Sequence, residues 1–356
     1  MFRQVRTHAC SAPLRRLYST QPEKPSIKLV AELRKRTEVS ISKARDALSA
    51  TNNDVSAALA WLQDDLVTSG AKKAAKVEGR DANEGVVSVS VLSRGVGAGW
   101  ALGSGGVRAA MIELNCETDF VGRNELFGKL AADIAHTAAF LSEPLDPEAL
   151  PAFAALQVDA LLDAPLLSHV DPTEAPSSTV GSAIRDAIAK MGEKISLRRG
   201  TSLAQESQGR EDRGTRLGSY LHGSVGNASN GRMGALVSLL VNSPYLAKLV
   251  GTEQFMQDLQ QLERSLARQV VGFDTRQVMS LDFSEGRERD LQILYDQPFA
   301  MFPDNPDGDV VEHVLQKWAV SKGMLTTQED PDVITEASAL VVTGFEKWTV
   351  GEPITP

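Results

Sequence analysis

Two cysteines, Cys10 and Cys116, and five histidines, His8, His136, His169, His222 and His313, are the side chains of this chain with the chemistry for a thiol nucleophile or a metal centre. A thiol beside an imidazole attacks an acyl carbon once the ring has taken its proton, and histidines one helical turn apart hold zinc. The spacing supports neither. No H-x3-H or H-E-x-x-H pair and no G-x-S-x-G turn occurs, and Cys116 closes an apolar strand, where a small buried filler is the expected role.

A second kind of chemistry is offered by Gly95, Gly97, Gly99, Gly103, Gly105 and Gly106, whose backbone could cradle a phosphate. A phosphate loop needs a Lys-Ser/Thr pair after its last glycine, and none follows. The dinucleotide pattern G-x-G-x-x-G fails as well, because Trp100 stands where the third glycine belongs. This stretch reads as a hairpin connection. What remains is ELNCETDFVGRNE, residues 113 to 125, where Asp119 and Phe120 fall between the end of a strand near Asn115 and a helix start near Asn124. An aromatic ring in a connection that should face water has two readings. Either Asp119 caps the turn while Phe120 staples the following helix onto the hairpin, or the pair contacts another molecule.

The elements around this turn follow from hydrophobic period. Residues 27–36, 40–50 and 55–63 are helical in pattern, with Leu29, Val30 and Leu33, then Ile41, Ala44 and Leu48, then Val55, Ala58, Leu59 and Leu62 on inner faces, and Asp54 stands as an N-cap. They predict a three-helix unit at 26–65, followed by a polar linker at 66–84, helical or mobile. At Gly85 the period changes to two. VVSVSVL (86–92) and VRAAMIEL (107–114) predict a hairpin, and 125–141 a helix. After a proline-rich 142–180, a helix at 181–191 and a strand at 195–199, a polar stretch at 201–215 reads as a surface loop. A second hairpin, 218–225 with 235–241, precedes a helix at 252–271, and after a further helix at 310–323 the terminal strand, 338–353, is expected to return to the second sheet. Hairpin plus helix thus occurs twice. The expectation is an α+β fold: a core of two related subdomains, 85–200 and 216–356, antiparallel sheets with flanking helices, behind the three-helix module.

Composition narrows the function. Residues 1–22 hold four arginines and no acid, leaving 33 basic against 46 acidic residues beyond, a charge of −13. An acidic body argues against wrapping a phosphate backbone, and no apolar run of 18 residues is present to span a membrane. The arginine-containing, acid-free start has the composition of a mitochondrial transit peptide, expected over residues 1–18, with Arg16 where matrix processing leaves an arginine. The remaining chain would then hold a single thiol, in keeping with a reducing matrix.

Several stretches together resemble translation elongation factor Ts in its mitochondrial form, a family of nucleotide-exchange factors for elongation factor Tu. They are LVAELRKRTEVSISKARDALSATNNDVSAALAWLQ (29–63), ELNCETDFVGRNELF (113–127) with its T-D-F-V signature, MGEKISLRRG (191–200), LGSYLHG (217–223) and VTGFEKWTVGE (342–352). The resemblance implies a UBA-like N-terminal module, and a protein that performs no covalent reaction and needs no cofactor or metal of its own. Such a factor binds Tu with GDP, disturbs the magnesium and phosphate pocket, and lets GTP enter. It also implies roles for residues matching the family's motifs. Asp119 and Phe120 would enter the nucleotide domain of Tu with the ring as a wedge, flanked by Thr118 and Val121. Arg34, Ile41 and Ser42 would face Tu from the N-terminal module, Met191 and Gly192 would lie near its phosphate loop, and His222 would join the interface. Gly192 also reads as a plain helix C-cap, and the heptad arm of bacterial members is not discernible. The rival expectation is a ubiquitin-associated-type interaction protein built on the same three helices. That role asks for an apolar Met-Gly-Phe-like loop where this chain has TEVS (37–40).

Overall fold

The computed structural model describes residues 24–354, apart from 38, 97–104, 147–148, 172, 174, 208, 225–227, 283, 285–286, 326–338 and the side chains of 66–73. The expected transit peptide and most of the glycine-rich connection lie outside the described residues. The chain forms two compact units that divide between Ser69 and Gly70.

The first unit contains α1 (Ile27–Thr37), α2 (Ile41–Ala50) and the first part of α3 (Val55–Val77). Val30, Leu33, Ala44, Ala47, Leu48, Ala58 and Leu62 form its core. Each later helix starts on a cap. Ser40 accepts from Lys43 N, and Asp54 Oδ1 accepts from Ser56 N at 2.8 Å and Ala57 N at 3.1 Å, taking up backbone donors that a helix start leaves unpaired. Asn52 and Asn53, with φ of 52° and 65°, make the left-handed corner between α2 and α3; asparagine tolerates this geometry better than most residues. Ile41 departs from its expected inner position and is 48% exposed.

The first part of the stretch expected as a helical or mobile linker, 66–77, is helical. α3 continues to Val77, because GAKKAAKV is rich in the good helix formers alanine and lysine and Val77 is buried in the core of the second unit.

The second unit is built on two antiparallel sheets. β1 (Glu84–Arg94), β2 (Val107–Cys116), β3 (Ala154–Ala155), β4 (Ile195–Gln205) and β6 (Asn230–Gly231) make the first, in the order β3-β4-β2-β1-β6. β5 (Arg213–His222), β7 (Met233–Asn242) and β8 (Leu340–Thr349) make the second, in the order β5-β7-β8. The helices are α4 (Asp119–Gly122), α5 (Glu125–Leu141), α6 (Val158–Asp163), α7 (Val180–Met191), α8 (Leu246–Val250), α9 (Glu253–Gly272) and α10 (Val311–Ser321).

Strand period two explains the layering. On β2, Ala110, Ile112, Leu114 and Cys116 pack with α5 and α7, whereas Val107, Ala109 and Met111 share a core with Leu217 of β5, Leu236 of β7 and Trp348 of β8. Ala235, Val237, Leu239 and Val241 of β7 face α9 and α10 on the far side. The sheets therefore meet face to face, with helices outside each. The hairpin-plus-helix layout occurs twice, as β1-β2-α5 and β5-β7-α9, and β8 pairs with β7 as expected for the terminal strand.

One expectation about the connections is corrected. The surface loop expected at 201–215 is shorter: β4 runs to Gln205 and β5 begins at Arg213, so 201–205 and 213–215 lie in strands. Gln205 is buried because its polar atoms are satisfied, its amide donating to Ala149 O at 2.8 Å and its oxygen accepting from Thr215 Oγ1 at 2.8 Å. The proline-rich 142–180 stretch is integrated into the first sheet and its helix layer through β3, which pairs with β4, and through Leu161, buried with α5 and α7.

Candidate functional site

Thr118 to Val121 occupy the end of the first hairpin. β2 stops at Cys116, paired with Ile195 as the last rung of the β2–β4 ladder, and the chain turns through the single turn of α4. Thr118 is the cap, its extended backbone leaving Oγ1 to accept from Val121 N at 3.4 Å. Asn124 then caps α5, its Oδ1 accepting from Leu126 N at 2.8 Å. Between two caps four residues form a helix too short to persist alone, so its direction is set by what lies beneath it.

Beneath it the packing is close. Gly122 is buried, and a β-carbon there would touch Cys116 Sγ and the Gly85 backbone, each at 3.7 Å. Val121 packs on the apolar layer under α5. The opposite side of the turn faces water: Phe120 is 82% exposed, and Asp119 forms a surface pair with Arg123 at 3.2 Å. The ring thus does not staple α5 to the hairpin. Cys116 is inert, its thiol pushed up to about 12 by burial and by the nearby charges of Glu193 and Glu84, and Sγ donates to Thr118 O.

The neighbouring turn brings in a second expected pair. α7 ends at Met191, and Gly192, with φ of 79°, turns the chain left-handed while its N–H donates to Ile188 O at 2.8 Å. The next residue, Glu193, accepts from Thr118 N at 3.1 Å and from Thr118 Oγ1 at 2.8 Å. Thr118–Val121 and Met191–Gly192 are therefore joined through one carboxylate. Glu117 reaches the other way, accepting from Lys194 N at 2.6 Å and from Arg80 Nη1 at 3.2 Å. His222 ends β5, exposed, and its carbonyl accepts from Arg232 N, whose guanidinium pairs with Glu84 opposite Cys116. Arg34, Ile41 and Ser42 are exposed on the first unit; Arg34 Nε donates to Val39 O at 3.1 Å.

A family model described as Elongation factor TS matches residues 117–285. Over 340 residues, 95% of each chain, the sequence is 52% identical to a Coprinopsis cinerea protein named "Elongation factor Ts, mitochondrial". The chain belongs to the elongation factor Ts family. A Laccaria bicolor protein of the same name is 52% identical over 339 residues, again 95% of each chain. "Elongation factor Ts, mitochondrial 2" of Postia placenta is 41% identical over 344 residues, 96% of this chain and 97% of its own. In this elongation factor Ts family member, the matched segment contains Thr118–Val121, Met191–Gly192 and His222, whereas Arg34 and Ile41 precede it.

Glu117, Glu193 and Arg80 carry no role in the reading of the sequence. Both acids stand next to residues singled out there, but nothing in their order along the chain reveals that each accepts from the backbone beside the other, across 75 and 77 residues.

Proposed function

We propose that this member of the elongation factor Ts family is the guanine-nucleotide exchange factor for elongation factor Tu in the mitochondrial matrix, with residues 1–18 as its transit peptide. It binds Tu with GDP, inserts the Asp119–Phe120 tip beside the magnesium and phosphate pocket, and releases GDP so that GTP rebinds. Thr118, Val121, Met191, Gly192 and His222 contribute to that contact, and Arg34 and Ile41 of the N-terminal module also face Tu. Nucleotide and magnesium belong to Tu, and the factor contributes no reacting group. The relatives named mitochondrial elongation factor Ts support the partner and the compartment.

The observation that carries the mechanism is Phe120, a large apolar side chain 82% exposed on a turn capped at both ends. Burying such a ring in a partner returns roughly 1.5–3 kcal/mol, enough to shift a balanced equilibrium about ten- to hundredfold. If the factor weakens GDP binding, GDP weakens factor binding by the same ratio, so binding energy placed at the nucleotide pocket is converted into release.

The test is stopped-flow release of a fluorescent GDP from mitochondrial Tu. Phe120→Ala and Asp119→Ala are expected to slow stimulated release about ten- to hundredfold while their melting temperatures stay near that of the parent, because neither side chain supports the core. Wild-type rates in both folded variants would remove the wedge mechanism.

A further inference from the structure

The β2–β4 ladder does not stop cleanly where its backbone pairing ends. Cys116↔Ile195 is the last rung, and the next positions, Glu117 opposite Lys194 and Thr118 opposite Glu193, have diverged into two turns. Side chains take over from carbonyls at this point. Glu193 accepts from the Thr118 backbone at 3.1 Å, and Glu117 accepts from the Lys194 backbone at 2.6 Å. Each turn supplies the carboxylate that holds the other turn's N–H, a reciprocity like that of a capping box but formed between two distant segments. Glu193 does more than close the ladder. It also accepts from Thr118 Oγ1 at 2.8 Å, which commits the hydroxyl proton to Glu193 and leaves a lone pair for Val121 N, so the carboxylate orients the cap of the turn that carries Phe120. Arg80 completes the group, its guanidinium on Glu117 and its carbonyl on Lys194 Nζ at 2.8 Å.

We infer that Glu117 and Glu193 are positioning residues of the exchange reaction: a reciprocal clamp that holds the Asp119–Phe120 tip away from the protein surface. The inference rests on the tip mechanism proposed above. An exposed phenylalanine on a free turn would fold back onto nearby apolar surface, and unfolding it again would oppose its insertion into a partner. Charge-assisted hydrogen bonds to the backbone just before Asp119 keep that turn in one geometry. Neither carboxylate touches the nucleotide. Their effect is exerted through Phe120.

A double-mutant cycle with Phe120→Ala separates this role from one in stability alone. In the parent background Glu193→Ala is expected to lower the maximal rate of factor-stimulated GDP release from Tu about tenfold, with a smaller change in the half-saturating concentration; in the Phe120→Ala background it should change the rate less than about twofold, because the residue it positions is gone. Thr118→Val, which removes the hydroxyl that Glu193 accepts from, should behave like Glu193→Ala. If Glu193→Ala folds poorly, Glu193→Gln, which keeps one acceptor oxygen, gives the same comparison at reduced size. Equal fold-losses from Glu193→Ala in both backgrounds, or a parent rate in Glu193→Ala, would overturn the clamp while leaving the tip mechanism intact. Parent rates in both Phe120→Ala and Asp119→Ala would overturn the clamp and the tip mechanism together.

Discussion

Cys116 and Phe120 stand four residues apart and have opposite fates, one fully buried and the other almost free in water. The turn of α4 decides this: it points Val121 and Gly122 inward over Cys116 and leaves Asp119 and Phe120 outside. Burial pushes the thiol up to about 12, so thiolate is scarce at neutral pH and access is closed as well. In a Cys10→Ala chain the remaining thiol should therefore resist a thiol-specific reagent at pH 8 and react fully on addition of denaturant. Fast reaction of the native protein would mean that the hairpin end opens. The residue types at this site were legible in the sequence, since T-D-F-V, the strand before it and the Asn124 cap could all be named. The direction of the ring was not, because the same four residues satisfy a stapled phenylalanine and an exposed one equally well. The pairing of Thr118 with Glu193 was hidden for a related reason: hydrogen bonds between turns 75 residues apart leave no periodic trace.

Among the elements, those with a strong period were readable and those held by tertiary partners were not. The β1–β2 hairpin and α5, α7 and α9 follow the alternation and helical patterns of their residues closely. β4 does not, because Thr201, Ser202 and Gln205 near its end are polar and are carried into the sheet by their neighbours. Two glycines show how differently an element can depend on one position. Gly192 ends α7 with φ of 79° and no atom within 4 Å of an added β-carbon, so its requirement is conformational. At Gly218 on β5, an added β-carbon would lie 2.5 Å from Glu263 O on α9, so its requirement is space. Gly192→Ala is expected to cost about 1 kcal/mol, the left-handed penalty alone, and Gly218→Ala about 3 kcal/mol, because α9 must lift from the sheet. Denaturant unfolding measures both. The reverse order would mean that α9 does not seat on β5 as closely as described. An unchanged exchange rate in Gly192→Ala would assign that glycine to capping rather than to the partner.

At the scale of the molecule, the two sheets are tied by a buried carboxylate. Glu113 on β2, fully buried, pairs with Arg198 at 3.0 Å and Arg199 at 2.7 Å on β4 and accepts from Gly351 N at 2.8 Å just beyond β8. Arg199 also pairs with Glu352 and lies 4.4 Å over the Trp348 ring, so the C-terminal strand is fastened to the first sheet through one guanidinium. Removing a buried partner from such a group leaves uncompensated charge, and Glu113→Ala is expected to lower stability by about 3–5 kcal/mol, measured by thermal or urea unfolding. A loss below about 1 kcal/mol would place the connection between the sheets in their apolar contact alone. The residues by themselves determined the α+β class, the doubled hairpin and helix, the acidic body and the resemblance to elongation factor Ts, because period, charge and motif are properties of local order along the chain. The tertiary structure decided that the sheets meet face to face, that 201–205 lie inside one of them, and that Phe120 stands in water above a carboxylate clamp. Those outcomes depend on which distant groups satisfy each buried donor and acceptor, and that is settled only when the chain has packed.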